Sequence, residues 1–192
     1  MLRPITFCFA TCLLVIAPIA LPADDVKFDY RVLSTTKTST MEKEMNEAAD
    51  AGFTFSSAMG GETAVGGKEV VVVMAKEDKA TPATKRVYRL LATSKTSTMQ
   101  KEMQALGDEG FEYKGQTVFE SSFGGRDVVV IMERAATGDS AKIQYRLLST
   151  AKTSTMQKEL REAGDAGFIL LGMTVGKTSF GGAELVSILR KK

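Results

Sequence analysis

One five-residue run, Lys-Thr-Ser-Thr-Met, occurs three times unchanged, at Lys37 to Met41, Lys95 to Met99 and Lys152 to Met156. A lysine followed by hydroxyls where a helix begins could hold a carboxylate, phosphate or sulfate, because the first helical turn presents unpaired N–H groups and partial positive charge. The candidate ligand-binding residues are therefore Lys37, Thr38, Ser39, Lys95, Thr96, Ser97, Lys152, Thr153 and Ser154. The plainer account is that serine caps a helix, methionine enters the core and the rest is left over from duplication. That account leaves the lysine unexplained, since a cation near a helix N-terminus is unfavourable by roughly 0.3–1 kcal/mol. Nor has drift been uniform, because the stretches FTFSSAMGG, FEYKGQTVF and FILLGMTVG have diverged while this run has not.

Other chemistry is excluded by what is missing. Histidine and tryptophan are absent, and both cysteines, Cys8 and Cys12, lie near the start. Zinc, copper, haem and iron–sulfur centres lose their usual ligands, so no metal and no cofactor is expected. Triads of the Ser-His-Asp or Cys-His kind cannot form. No nucleophile can be matched with a general base, which argues against an enzyme. Gly176-Lys177-Thr178 is no nucleotide loop, because Leu171 stands where its first glycine is needed and the segment reads as strand and hairpin. The formal charge of +2 supplies no broad field for nucleic acid or anionic lipid.

Recurring charges read as structural. Asp50, Asp108 and Asp165 fall near helix C-termini, where Arg31, Arg89 and Arg146 on the adjoining strand could offset their clash with the helix dipole. Glu44, Glu102 and Glu159 each follow a lysine on a helix with a wet face, so solvated surface accounts for them.

The opening segment has the form of an export signal. Arg3 precedes an apolar run from Ile5 to Ile19, then Ala20, Leu21, Pro22, Ala23 and the pair Asp24-Asp25. Residues 1–23 are expected to be removed after Ala23, or after Ala20 as second choice, leaving a periplasmic or secreted protein with no stable membrane span. The run is shorter than the ~20 residues that cross a bilayer. An uncleaved membrane anchor is the rival reading that this shortness opposes, and lipid modification of Cys12 is a further alternative, opposed by an apolar run that continues well past it.

Positioning the repeated lysine run requires a repeated unit. Tyr30, Tyr88 and Tyr145 open segments that align without a gap to Lys76, Arg134 and Lys191. The expected repeats are residues 28–76, 86–134 and 143–191, joined by linkers 77–85 and 135–142. Period-two alternation from Tyr88 to Thr93 predicts a strand. Ser39 with Glu42, Ser97 with Gln100 and Ser154 with Gln157 have capping-box spacing, which predicts helices starting there. Met41, Met45 and Ala48, like Met99, Met103 and Leu106, or Met156, Leu160 and Ala163, mark one apolar face. Gly52, Gly110 and Gly167 should end the helices in left-handed conformation, with Phe53, Phe111 and Phe168 folding back onto that face.

A second strand follows, on which Phe111, Tyr113, Thr117 and Phe119 alternate with Glu112, Lys114, Gln116 and Glu120, and Gly124-Gly125 predicts a tight turn. The third strand, VVVIM in the second repeat, is apolar on both faces and needs cover on both. A single unit under about 60 residues is too small to be comfortable alone. The repeats should therefore pack on each other or on another chain.

Tyr88-Arg89-Leu90-Leu91, the helix from Met99 to Gly107 and the break Gly110-Phe111 resemble a family of short bacterial strand-helix-strand-strand domains of unknown function. Members of that family usually carry tryptophan after the glycine, where this chain has phenylalanine. The resemblance implies the fold and no catalytic residue. The fold expected is α+β: three tandem βαββ repeats, each a three-stranded antiparallel sheet with one helix packed on it. The function expected is a non-catalytic exported binding or scaffold module for an unknown protein partner, the alternative being a small-anion binder that uses the three helix N-termini.

Overall fold

The computed structural model describes residues 26–63, 67–78, 84–120, 126–138, 141–177 and 182–191. The export segment with Cys8 and Cys12, the cleavage positions Ala20 and Ala23, and the Gly124-Gly125 turn lie outside these residues. Three β-α-β-β units follow one another, as the repeat predicts. The first holds β1 (Phe28–Thr35), α1 (Thr38–Asp50), β2 (Thr54–Thr63) and β3 (Gly67–Glu77). The second holds β4 (Arg86–Thr93), α2 (Thr96–Asp108), β5 (Glu112–Glu120) and β6 (Arg126–Ala135). The third holds β7 (Gln144–Thr150), α3 (Thr153–Asp165), β8 (Ile169–Lys177) and β9 (Ala183–Lys191). Each forms its own antiparallel sheet, in the orders β1-β3-β2, β4-β6-β5 and β7-β9-β8. The doubly apolar strand is central in every sheet.

The helix starts correct the capping-box expectation. Lys37, Lys95 and Lys152 occupy the N-cap positions in extended conformation, and none makes a side-chain cap bond. Ser39, Ser97 and Ser154 stand inside the first turn, so they do not cap. The N-cap lysine N–H is instead donated to the hydroxyl of Thr35, Thr93 or Thr150, at 3.1, 3.1 and 3.2 Å.

The helix ends follow expectation. Gly52, Gly110 and Gly167 have φ of 89°, 80° and 85°. The N–H groups of Phe53, Phe111 and Phe168 return to the carbonyls of Ala48, Leu106 and Ala163 at 2.9 to 3.0 Å, closing a Schellman motif. The charge that offsets the last turn comes from the third strand and not from the predicted Arg–Asp pairs. Lys76, Arg134 and Lys191 donate to the carbonyls of Ala51, Glu109 and Ala166 and lie against the rings of Phe53, Phe111 and Phe168. Arg31 and Arg146 stack on Phe53 and Phe168 as well. Asp50 takes Lys85 at 2.8 Å, and Asp108 accepts from Gln104.

A bulge also revises the alternation predicted for the second strand. The pairing register of β5 skips between Tyr113 and Gly115, and the same skip occurs at Phe55/Ser57 in β2 and at Leu170/Gly172 in β8. One extra residue shifts every later side chain to the other face. Tyr113, Gln116 and Val118 thus share one face, opposite Met132, Val130 and Val128, while Thr117 falls with Val129 on the other.

Those two faces serve two different cores. Met99, Met103, Phe111, Val128, Val130 and Met132 join Ile143, Tyr145 and Ile188 of the third repeat. Val129, Ile131, Phe119 and Tyr88 from the opposite face join Met41, Met45, Val70, Val72 and Met74 of the first repeat. Each of the first two helices is thus enclosed between its own sheet and the back of the next repeat's sheet. The third helix closes only on its own repeat, through Leu148, Met156, Ala163 and Leu189. Among the described residues no helix is long and apolar enough to cross a membrane.

Candidate functional site

The most developed polar constellation lies where one repeat meets the next. Strand β4 is an edge strand, and the side chains of α1 bind its free edge. Asn46 donates to the carbonyl of Tyr88 at 3.0 Å and accepts the N–H of Tyr88 at 3.0 Å. One turn earlier, Glu42 accepts the N–H of Leu90 at 2.8 Å and the guanidinium of Arg89 at 2.9 Å. The second junction repeats the arrangement with neutral groups. Gln104 accepts the N–H of Tyr145 at 2.9 Å, and Gln100 accepts that of Leu147 at 2.7 Å while donating to the carbonyl of Tyr145. Unpaired strand edges invite association. Here helix side chains satisfy them.

These are the residues that sequence reasoning assigned to a capping box or passed over. Their signal was legible: Glu42, Asn46 and Ala49, like Gln100, Gln104 and Gly107, recur at i, i+4 and i+7, a second helical stripe of amide or carboxylate groups ending in a small residue. The small residue has a steric reason. A side chain on Gly107 would collide with the carbonyl oxygen of Ile143 and the ring of Tyr145.

The tyrosines complete each junction. Tyr88 is fully buried; its hydroxyl donates to Glu133 at 2.6 Å and accepts the N–H of Phe55 at 2.9 Å. Burial, and then the bond to Glu133, push its phenol up from the ordinary tyrosine range. The Glu133 carboxylate, itself buried, also meets Lys114 at 3.0 Å and Arg86 at 3.7 Å. Tyr145 donates to the carbonyl of Phe111 and accepts the N–H of Tyr113, both within 2.9 Å. Burial raises its phenol, and it pushes that of Tyr113 up to about 12. The Glu133 carboxylate is thus held by one phenol and two cations inside the junction, where the network ties neighbouring repeats together.

The Lys-Thr-Ser-Thr residues stay apart from one another. Lys37, Lys95 and Lys152 are exposed, as are Ser39, Ser97, Thr153 and Ser154, while Thr38 and Thr96 are half-buried. At the second repeat the hydroxyl of Thr96 donates to Glu184, at 2.8 Å, so a carboxylate of the third repeat sits beside the α2 N-terminus. The crevice there is about 10 Å³ and is lined by Lys95, Thr96, Met99, Leu147 and Glu184. A wider groove of about 440 Å³ runs along Gly60, Glu62, Lys68, Val118, Thr174 and Val175, touching all three repeats. No group of three or more carboxylates able to share a metal ion occurs among the described residues.

Compared with known protein families, curated proteins and solved structures, the chain matches none. The bacterial family resemblance therefore rests on the quoted sequence segments alone.

Proposed function

We propose that this chain is a non-catalytic exported repeat protein, periplasmic or secreted, that works as a binding or scaffold module. The observation that carries this reading is where apolar surface is left open. Among the described residues the large exposed apolar side chains are Val26 just before the first repeat, Phe28, Tyr30, Val32 and Met59 within it, and Ile169, Leu170, Met173 and Val175 in the third. The described residues of the middle repeat, which has a neighbour on both sides, expose none of this kind. Apolar patches left at both termini of a repeat array suit contact with another macromolecule better than turnover of a small substrate. Capture from the native envelope tests the proposal. The parent chain should retain a partner that is lost when Tyr30→Glu or Leu170→Lys is introduced, and retention unchanged by both variants would contradict it.

A second reading, a small-anion binder, is favoured by the Thr96–Glu184 contact, in which a threonine hydroxyl of the repeated run already donates to a carboxylate. Sulfate, phosphate or a simple carboxylate should then raise the melting temperature in proportion to its saturation of the sites. Replacing Lys37, Lys95 and Lys152 by methionine should abolish the rise. An equal rise in the triple variant would end this reading.

A further inference from the structure

Resting on the binding-module reading, we propose that the partner is another copy of this chain. The third repeat of one molecule docks on the first repeat of the next, through the same contact that joins the repeats internally. That contact occurs twice within the chain, α1 with β2 seating on the second repeat and α2 with β5 seating on the third. Its two halves are each present once more, and among the described residues nothing occupies them.

The donor half is the outer face of the third repeat. Gln157 stands at the position of Glu42 and Gln100 and is exposed. Gly164 stands at the position of Gly107, but a side chain there would meet nothing within 4 Å. Its backbone is ordinary helix, since its φ is not positive. Glycine inside a helix is a helix-weakening choice, and within this chain Gly164 has no steric purpose. At Gly107 the purpose is visible: the missing side chain seats the carbonyl of Ile143. Leu170, Met173 and Val175 occupy the positions of Tyr113, Gln116 and Val118, which face the next repeat, and all three are exposed.

The acceptor half is the back of the first sheet. Tyr30, at the position of buried Tyr88 and Tyr145, is 60% exposed, and Val32 is 66% exposed. Among the described residues, no helix side chain covers the outer edge of β1 as α1 and α2 cover β4 and β7. Charges match as well. Lys27 and Asp165 occupy the positions of Lys85 and Asp50, which pair at 2.8 Å. Sizes compensate, since Phe55 lies over Gly115 and Tyr113 over Gly172, where the intermolecular pair is the smaller Leu170 over Ser57.

One position departs. Arg161 replaces Asn46 and Gln104, and a guanidinium donates but cannot accept the N–H of Tyr30. The junction between chains is therefore weaker than the internal ones, and association is reversible. Donor and acceptor faces differ, so the contact is heterologous and builds rings or filaments according to whether its rotation closes.

Sedimentation of the purified protein, in the form that accumulates in cells, tests this with two variants confirmed as folded by circular dichroism. A head variant carries Tyr30→Glu and Val32→Lys, and a tail variant carries Gly164→Arg and Leu170→Lys. The parent should grow in size with concentration, each variant alone should be monomeric, and an equal mixture should give a dimer, because each supplies the half the other lacks. A parent monomeric at every soluble concentration, a single variant that still associates, or a mixture that stays monomeric would overturn the proposal. If self-association fails while the same patches still retain an envelope protein, the binding-module reading stands without it. If retention fails too, both fall.

Discussion

The carboxylate of Glu42 on α1 accepts the backbone N–H of Leu90 on β4 at 2.8 Å, so a helix of one repeat completes the strand edge of the next. Gln100 does the same for Leu147. Gln157 holds the equivalent position at the end of the array and is exposed. Position in the array, not residue type, decides what this side chain is worth. Gln100→Ala should destabilise the protein by roughly 2 kcal/mol, because it leaves two strand-edge backbone groups without partners. Gln157→Ala should stay within about 0.5 kcal/mol in dilute solution. Chemical denaturation measures both, and equal losses would show that the contact across the junction carries no weight.

The helix glycines make a second such pair. Gly107→Ala should destabilise by about 1–3 kcal/mol, since the new methyl group is driven into the carbonyl of Ile143. Gly164→Ala should stabilise the dilute monomer by about 0.5–1 kcal/mol, because only helix propensity changes there. Denaturation midpoints that moved in the same direction would contradict the stacking geometry.

Alkaline pH should take the stack apart. Burial raises the phenols of Tyr88, Tyr113 and Tyr145 in the folded state, that of Tyr113 to about 12, against about 10 in an unfolded chain. The folded state therefore binds these protons more tightly. The stability they contribute is whole below about pH 10 and declines as pH rises toward the folded-state values. Phenolate absorbance followed together with circular dichroism should show these three tyrosines ionising only as secondary structure is lost. Their ionisation in a fully folded protein would contradict their burial at the junctions.

The unit of the fold was legible because its signals are local. The left-handed glycine with Phe53, Phe111 or Phe168 behind it is one such signal, and the two-faced apolar strand is another. The helix start was misplaced because Ser39-x-x-Glu42 satisfies a capping pattern whose glutamate is spent on another repeat. Only the position of β4 reveals that. Ser154→Ala, which the capping pattern would make costly by about 1 kcal/mol, should instead stay within about 0.5 kcal/mol, since Lys152 holds the N-cap position. The face of Thr117 was misread because a bulge at Lys114 leaves no mark in residue type. Of the proposed anion-site residues, the sequence gives the helix N-terminus but not the carboxylate of Glu184 that reaches Thr96 from another repeat.

The repeats complete one another's cores, and the middle repeat depends on both of its neighbours. Excised as residues 86–134, it loses the first repeat from the face of Tyr88, Val129 and Ile131 and the third from that of Met99, Met103 and Val130. Its denaturant unfolding, followed by circular dichroism at concentrations where sedimentation shows a monomer, should be broad and without a cooperative transition. A sharp two-state transition in that dilute monomer would contradict the account, because each repeat would then close its core without its neighbours.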